Sequence, residues 1–244
     1  MKFGVLEFLW HIDLLLNHKS TKRKDTKMRL KKIFSSLLFV FITTAIIAQH
    51  GNSITADEAL IKLLEGNNRF VEFKQNHPHQ NELRLKEISS SQKPFAVIVG
   101  CSDSRVPPEI IFDQGMGDLF IIRNAGNVVD DFALASIEYA VEHLDVKLIV
   151  VLGHERCGAV DATIKGGHLP GHLNKLIEEI DPAVEKAKKM GGDLLTNSVN
   201  ANAERIARQL SSSEELLKEF VDHKGLKIVT AYYDLDTGKV EIIR

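Results

Sequence analysis

His154-Glu-Arg-Cys157 places an imidazole and a thiol three residues apart, and Cys101 is the only other cysteine in the 244 residues. Two sulfurs and one nitrogen suit zinc, which at catalytic sites commonly takes three protein ligands and leaves a fourth position for water; two cysteines with one histidine is a known set. A second constellation stands beside the first. Cys101-Ser-Asp-Ser-Arg105 sets a carboxylate and a guanidinium two and four residues after the first candidate ligand. An Asp103 held ionised by Arg105 can accept a hydrogen bond from metal-bound water or hydroxide and turn its lone pair toward an electrophile. Each pattern also has a plainer reading. In an oxidising compartment Cys101 and Cys157 can pair as a disulfide, closing a loop of about 57 residues for on the order of 4 kcal/mol. Asp103 and Arg105 can be a loop salt bridge or an Asx turn. The disulfide reading leaves His154, Asp103 and Arg105 without a purpose.

To bring residues 53 apart together, the chain needs a scaffold, and its apolar patterning provides one. Phe95–Val99, Leu119–Ile122, Leu148–Leu152 and Leu226–Thr230 are short β-branched runs separated by longer helical segments, the pattern of a buried parallel sheet. Asp131–His143 and Asn174–Lys189 have the length and spacing of crossover helices. Asp236-Thr-Gly238 reads as a turn into a last strand, Val240–Ile243, pairing antiparallel with its predecessor. The expected fold class is α/β, with a mostly parallel central sheet, flanking helices and an antiparallel C-terminal edge strand. Cys101 and His154 then follow strand ends, the edge at which open α/β sheets bind ligands. Gly100 and Gly153, which precede them, are expected to allow a sharp turn or a close backbone approach.

Thr55-Ala-Asp-Glu58 predicts a capping box opening a helix, with Leu60, Ile61 and Leu64 as its apolar stripe. Residues 74–92 read as loop plus a short helix, with His77 and His79 facing solvent. At the N-terminus, Met28-Arg-Leu-Lys-Lys32 followed by apolar Ile33–Ile47 has the layout of a signal peptide, 28–48, cleaved after Ala48. The apolar run, about 15 residues, is short for a bilayer span of roughly 20, so the mature form is expected to have no permanent membrane span. Residues 1–27 read as an upstream extension or a mis-assigned start, with an interfacial helix as the alternative. Residues 49–244 form one expected domain. Of 31 Lys and Arg and 33 Asp and Glu, 9 and 3 precede residue 49, leaving 22 and 30 and a formal charge of −8. That balance argues against a nucleic-acid partner.

Cys-Ser-Asp-Ser-Arg-Val at 101–106, Arg-Asn-Ala-Gly-Asn at 123–127 and Gly-His-Glu-Arg-Cys-Gly at 153–158 resemble the β-class carbonic anhydrases. The resemblance extends from Glu65-Gly-Asn-Asn-Arg-Phe70 to Tyr233-Asp-Leu-Asp-Thr-Gly238. It implies reversible hydration of carbon dioxide to bicarbonate and a proton by metal-bound hydroxide, the activity of a zinc lyase with one Zn²⁺ per subunit. Cys101, His154 and Cys157 match the family's metal ligands, and Asp103 and Arg105 its catalytic dyad. The family also implies a homodimer or homotetramer with active sites near a subunit interface, and in some members the Asp occupies the fourth metal position when its Arg partner is lost. The bicarbonate pocket that some members build around a tryptophan is not expected, because the only tryptophan is Trp10. Gly158 is a candidate for offering its N–H to a substrate oxygen, with a tight-turn role as the alternative. Phe120 and Val128 are candidates for an apolar substrate wall, with plain core as the alternative, and His168 and His172 for a proton relay, with exposed loop positions as the alternative. Carbon disulfide or carbonyl sulfide is an alternative substrate on the same scaffold. With the signal peptide, the expected location is periplasmic or secreted. Two thiolates cancel the formal charge of Zn²⁺, which three neutral histidines would not, so activity is expected to rise into alkaline pH; a rate profile flat from about pH 6 to about pH 9 contradicts this.

Overall fold

The computed structural model describes residues 54–167, 169–213 and 216–243. The expected signal peptide, the stretch before it, Trp10 and His168 lie outside the described residues. No helix among the described residues is long and apolar enough to cross a membrane.

Five strands form one mixed sheet: β1 (Ala96–Gly100), β2 (Leu119–Arg123), β3 (Leu148–His154), β4 (Lys227–Tyr233) and β5 (Val240–Ile242). Their order is β2-β1-β3-β4-β5. The first four are parallel, and β5 returns antiparallel along β4. β1 and β3 are buried along their whole length, which is why both read as unbroken apolar runs rather than alternating ones.

The helices are α1 (Ala56–Val71), α2 (Glu82–Ile88), α3 (Pro108–Ile111), α4 (Asp131–His143), α5 (Gly158–Lys165), α6 (Leu173–Ala187), α7 (Leu194–Ser211) and α8 (Leu216–His223). The period-2 geometry of a strand divides the core between two faces. Val97, Val99, Ile149 and Val151 pack with Ile137 of α4, Ile206 of α7 and Leu217 of α8. Ala96, Ile98, Leu148, Val150 and Leu152 pack with Ala59 and Leu63 of α1 and with Phe112. Helices therefore cover both faces, as a parallel sheet requires.

The capping box at Thr55 and Glu58 is present, but the buried face of α1 is Ala56, Ala59, Leu63, Gly66 and Asn67, and Ile61 is exposed. The contact selects small residues over bulky ones because the helix lies so close to the next segment: a Cβ on Gly66 would fall 1.8 Å from the Phe112 carbonyl oxygen. Asn67 uses this proximity. Its amide donates to the carbonyls of Ile111 and Gly238, and its oxygen accepts from the Val240 N–H, tying α1 to the turn before β5.

His77 and His79 are exposed, though not idle. The His77 N–H donates to the Asp113 carboxylate, and the His79 ring bonds Asp118 at 2.7 Å.

Candidate metal centre

Connectivity places the chemistry at one edge of the sheet. The chain runs from β1 outward to β2, then crosses back over β1 to form β3, so the carboxyl ends of β1 and β3 flank the point where strand order reverses. Cys101 follows β1, His154 ends β3, and Cys157 is the N-cap residue of α5. The ligand atoms of these three buried side chains lie within 4.8 Å of one another. Both thiols are free, with their sulfurs 4.0 Å apart. Tetrahedral zinc with Zn–S near 2.3 Å spaces two sulfurs by about 3.8 Å, whereas a disulfide needs about 2.05 Å. The observed separation suits a shared ion.

His154 supplies the sharper test of fit. Its Nδ1 lies 2.9 Å from the Glu155 carbonyl oxygen, so Nδ1 must carry the proton and donate it. That leaves Nε2 as a bare lone pair, and Nε2 is buried with no hydrogen-bond partner. An unsatisfied buried polar atom costs roughly 1–3 kcal/mol. A cation held with two thiolates satisfies it, and the donor set is one that zinc accepts. The two thiols are unequal: the hydrogen bond from Cys157 pulls the Cys101 thiol below its ordinary value, and the same bond, with burial, pushes Cys157 up.

Asp103 sits beside this trio rather than within it. One carboxylate oxygen accepts from the Arg105 backbone N–H and Nε, at 3.0 and 2.9 Å. The other accepts from Nη2 of Arg105 at 2.7 Å and lies 3.9 Å from Nε2 of His154. The Arg105 hydrogen bonds hold the Asp103 carboxyl well below the usual carboxylate range.

The Arg-Asn-Ala-Gly-Asn segment, whose residues carry no role readable from the sequence, is the frame of the site. Arg123 grips the loop after β1 through the carbonyls of Cys101 and Asp103. Asn127 donates to the carbonyls of Val99 and Leu152, bridging β1 and β3 just before Cys101 and His154. Gly126 donates its N–H to the Cys101 sulfur at 3.3 Å and accepts at its carbonyl from Asn202 of α7.

The remaining candidates divide. Gly158 opens α5 and is exposed, with nothing within 4 Å of where a Cβ would be. Val128 packs against the cluster that holds Cys101 and Cys157. Phe120 does not join them; it packs under α4, its ring 6.5 Å from that of Tyr139, because it pairs with Val97, early in β1 and away from the strand's carboxyl end. His172 is an exposed N-cap of α6. Of the two glycines expected to matter, Gly153 does: its bare Cα admits α7, where a Cβ would meet Val199 at 2.9 Å. Gly100 has neither a close contact nor left-handed backbone, and the site's left-handed residues are instead Gly126, Asn127 and Arg156.

The sequence profile of the carbonic anhydrase family matches residues 96–240. A protein called carbonic anhydrase 2 from Mycobacterium tuberculosis is 42% identical over 181 residues, spanning 72% of this chain and 87% of its own length. A carbonic anhydrase of Mycolicibacterium smegmatis is 38% identical over 197 residues, covering 79% of this chain and 94% of the relative. Among solved structures, one of two tetrameric β-carbonic anhydrases from Sordaria macrospora superposes with a TM-score of 0.62 at 28% identity, over 74% of this chain and 94% of that one. The Coccomyxa β-carbonic anhydrase, solved with acetazolamide, gives 0.57 at 27% identity, over 74% and 84%.

Gly126 combines a φ of +63° with a site where a Cβ would meet the Cδ1 of Ile180 at 2.5 Å. Gly126→Ala is expected to cost on the order of 2 kcal/mol in denaturant unfolding. Adding Ile180→Val, which removes Cδ1, should recover part of that loss. No recovery in the double variant would mean that the contact with Ile180 is not what excludes a side chain.

Proposed function

Because the chain belongs to the β-class carbonic anhydrases, we propose that it hydrates carbon dioxide reversibly to bicarbonate and a proton, with one zinc per subunit held by Cys101, His154 and Cys157. Bound there, zinc supplies the Lewis acidity that lowers the pKa of water from 15.7 toward roughly 7. The observation that carries this reading is the buried, unpartnered Nε2 of His154 beside two free thiols.

The chain's own groups account for the rest. Arg105 keeps Asp103 ionised, so Asp103 is an acceptor and not a proton source at neutral pH. The Asp103 oxygen facing His154 takes one bond from Arg105, against two on the other oxygen. It therefore retains capacity to accept a hydrogen bond from the attacking oxygen and aim it. Arg105 also keeps this carboxylate from moving into the ligand trio. Val128 offers an apolar wall suited to an uncharged substrate, and the N–H of Gly158, at the start of α5, would donate to a substrate oxygen as negative charge develops there.

Carbon dioxide hydration and zinc content measured together test this reading. Cys101→Ser is expected to lose both. Asp103→Asn and Arg105→Gln are expected to keep zinc while activity falls by about 10²-fold. A parent protein purified under mild reductant without zinc, or an Asp103→Asn variant within about threefold of the parent, would sink it.

Two further properties belong to the same proposal. Export is supported by the basic segment at 28–32 and the apolar run after it. A homodimer or homotetramer is supported by the tetrameric Sordaria relative and by the exposed rings of Phe132 and Tyr139 on α4, the latter beside Phe120 of edge strand β2. The expected results are a mature N-terminus near residue 49 and a light-scattering mass of two or four subunits. An intact N-terminus in exported protein, or a monomer, would refute the respective statement.

A further inference from the structure

Only Glu155 and Arg156 separate His154 from Cys157, so these two residues set how the imidazole and the second thiol face each other. The backbone reverses sharply there: Arg156 has φ 51°, the left-handed region that L-residues other than Gly, Asn and Asp seldom adopt. Something outside the two residues must hold them.

The restraint comes from the turn between β4 and β5. Arg156 grips Asp236 through two parallel bonds, Nη2 to one carboxylate oxygen at 2.6 Å and Nη1 to the other at 3.0 Å, with Nη1 also 3.0 Å from the Glu155 carboxylate. The other Glu155 oxygen accepts the Leu235 N–H at 3.1 Å, and the Glu155 N–H donates to the Tyr233 carbonyl. The carbonyls of the same two residues face the chemistry. That of Glu155 accepts the Nδ1 proton of His154, and that of Arg156 lies 3.4 Å from Nη2 of Arg105 and accepts from it. The turn is itself firm. The Asp234 carboxylate accepts from the N–H groups of Asp236 and Thr237 and from the Thr237 hydroxyl, and Asn67 of α1 holds the Gly238 carbonyl.

We infer that Asp236 and Arg156 are positioning residues for the reaction: their paired side chains, with Glu155 on the Leu235 N–H, hold two carbonyls that orient the His154 imidazole and the Arg105 guanidinium. One strut outside the metal trio thus serves both the ligand set and the dyad. Charge is consistent with the pairing, since Arg156 lowers the Asp236 carboxyl from its ordinary value. The pair is half-exposed or more, at 48% and 69% side-chain exposure. A pair so exposed adds little to global stability, which separates a positioning role from a merely structural one.

The inference rests on the zinc-dependent reading above, and its test uses the full zinc-loaded chain. Zinc release to excess 4-(2-pyridylazo)resorcinol, kcat and KM for carbon dioxide hydration, and Tm are measured for the parent and for Asp236→Asn, Arg156→Gly and Asp236→Glu. Arg156→Gly suits the left-handed backbone and removes only the tether. Asp236→Asn and Arg156→Gly are expected to release zinc about tenfold faster and to lower kcat severalfold at constant KM. Asp236→Glu should return both to within about twofold of the parent. Release and kcat within about twofold of the parent in both tether-breaking variants would overturn the inference. So would an Asp222→Asn control, which breaks a comparably exposed ion pair with Lys218 on α8, that releases zinc equally fast. A parent that binds no zinc would instead bring down the underlying reading.

Discussion

The structure turns on the burial of one lone pair. His154 has no solvent exposure, its Nδ1 proton is committed to a carbonyl, and its Nε2 faces two sulfurs without a hydrogen-bond partner. A protein interior seldom leaves an acceptor in that condition, because desolvation without compensation is costly. The cost is tolerable where another species is meant to be bound, and the neighbouring groups are consistent with that purpose. Asn127 joins the ends of β1 and β3, Gly126 supports the Cys101 sulfur, and Arg123 holds the intervening loop. None of these contacts touches the imidazole, yet each fixes the distance from which a sulfur meets it.

The same constraint accounts for part of the fold's unusual backbone. Left-handed conformations at Gly126 and Asn127, in the loop after β2, and at Arg156, between His154 and Cys157, all border the ligand trio. Strain of this kind persists only where surrounding contacts over-determine it. Here those contacts come from elements remote in sequence: Ile180 of α6 and Asn202 of α7 against Gly126, Asp236 of the last turn against Arg156. α6, α7 and the C-terminal hairpin are therefore part of the site, although none of them carries a ligand.

Much of this was legible in the sequence, and the rest was not for identifiable reasons. Strand runs declared themselves because a doubly covered parallel sheet demands continuous β-branched residues; the expected Leu148–Leu152 became Leu148–His154, an error confined to the end where apolar character gives way to Gly and His. The crossover helix at 131–143 agreed with expectation, since its Asp caps and apolar spacing are local signals. α7 went unanticipated: Asn197, Asn200, Asn202 and Gln209 dilute its apolar stripe, and its polar residues make sense only once Gly126 and Val129 are seen opposite them. For α1 the helix was right and the face wrong, because bulk suggested Ile61 whereas close approach selects Ala59 and Gly66. The trio and the dyad were readable as residue types at short spacing. The tether from Arg156 to Asp236 spans 80 residues, and no local pattern reports such a pair.

Charge balance explains why two adjacent groups of anions are treated so differently. Cys101, Cys157 and His154 are all but sealed from solvent, and buried thiolates are tenable only with a cation among them. Asp103 is also ionised, at 17% side-chain exposure, but its counter-charge is Arg105, itself half-exposed and joined to it by a fork of two bonds and a backbone amide. A dication bound by the trio would be matched by two thiolates, beside the Arg105 guanidinium matched to the Asp103 carboxylate, giving two separately neutral units in contact. Without Arg105, the Asp103 carboxylate would be free to turn toward a cation held by the trio. On the proposed reading, Arg105 is thus as much a guard of an open coordination position as a partner in catalysis. Its contact with the Arg156 carbonyl, on the loop that also orients His154, ties the dyad and the ligand trio to one piece of backbone.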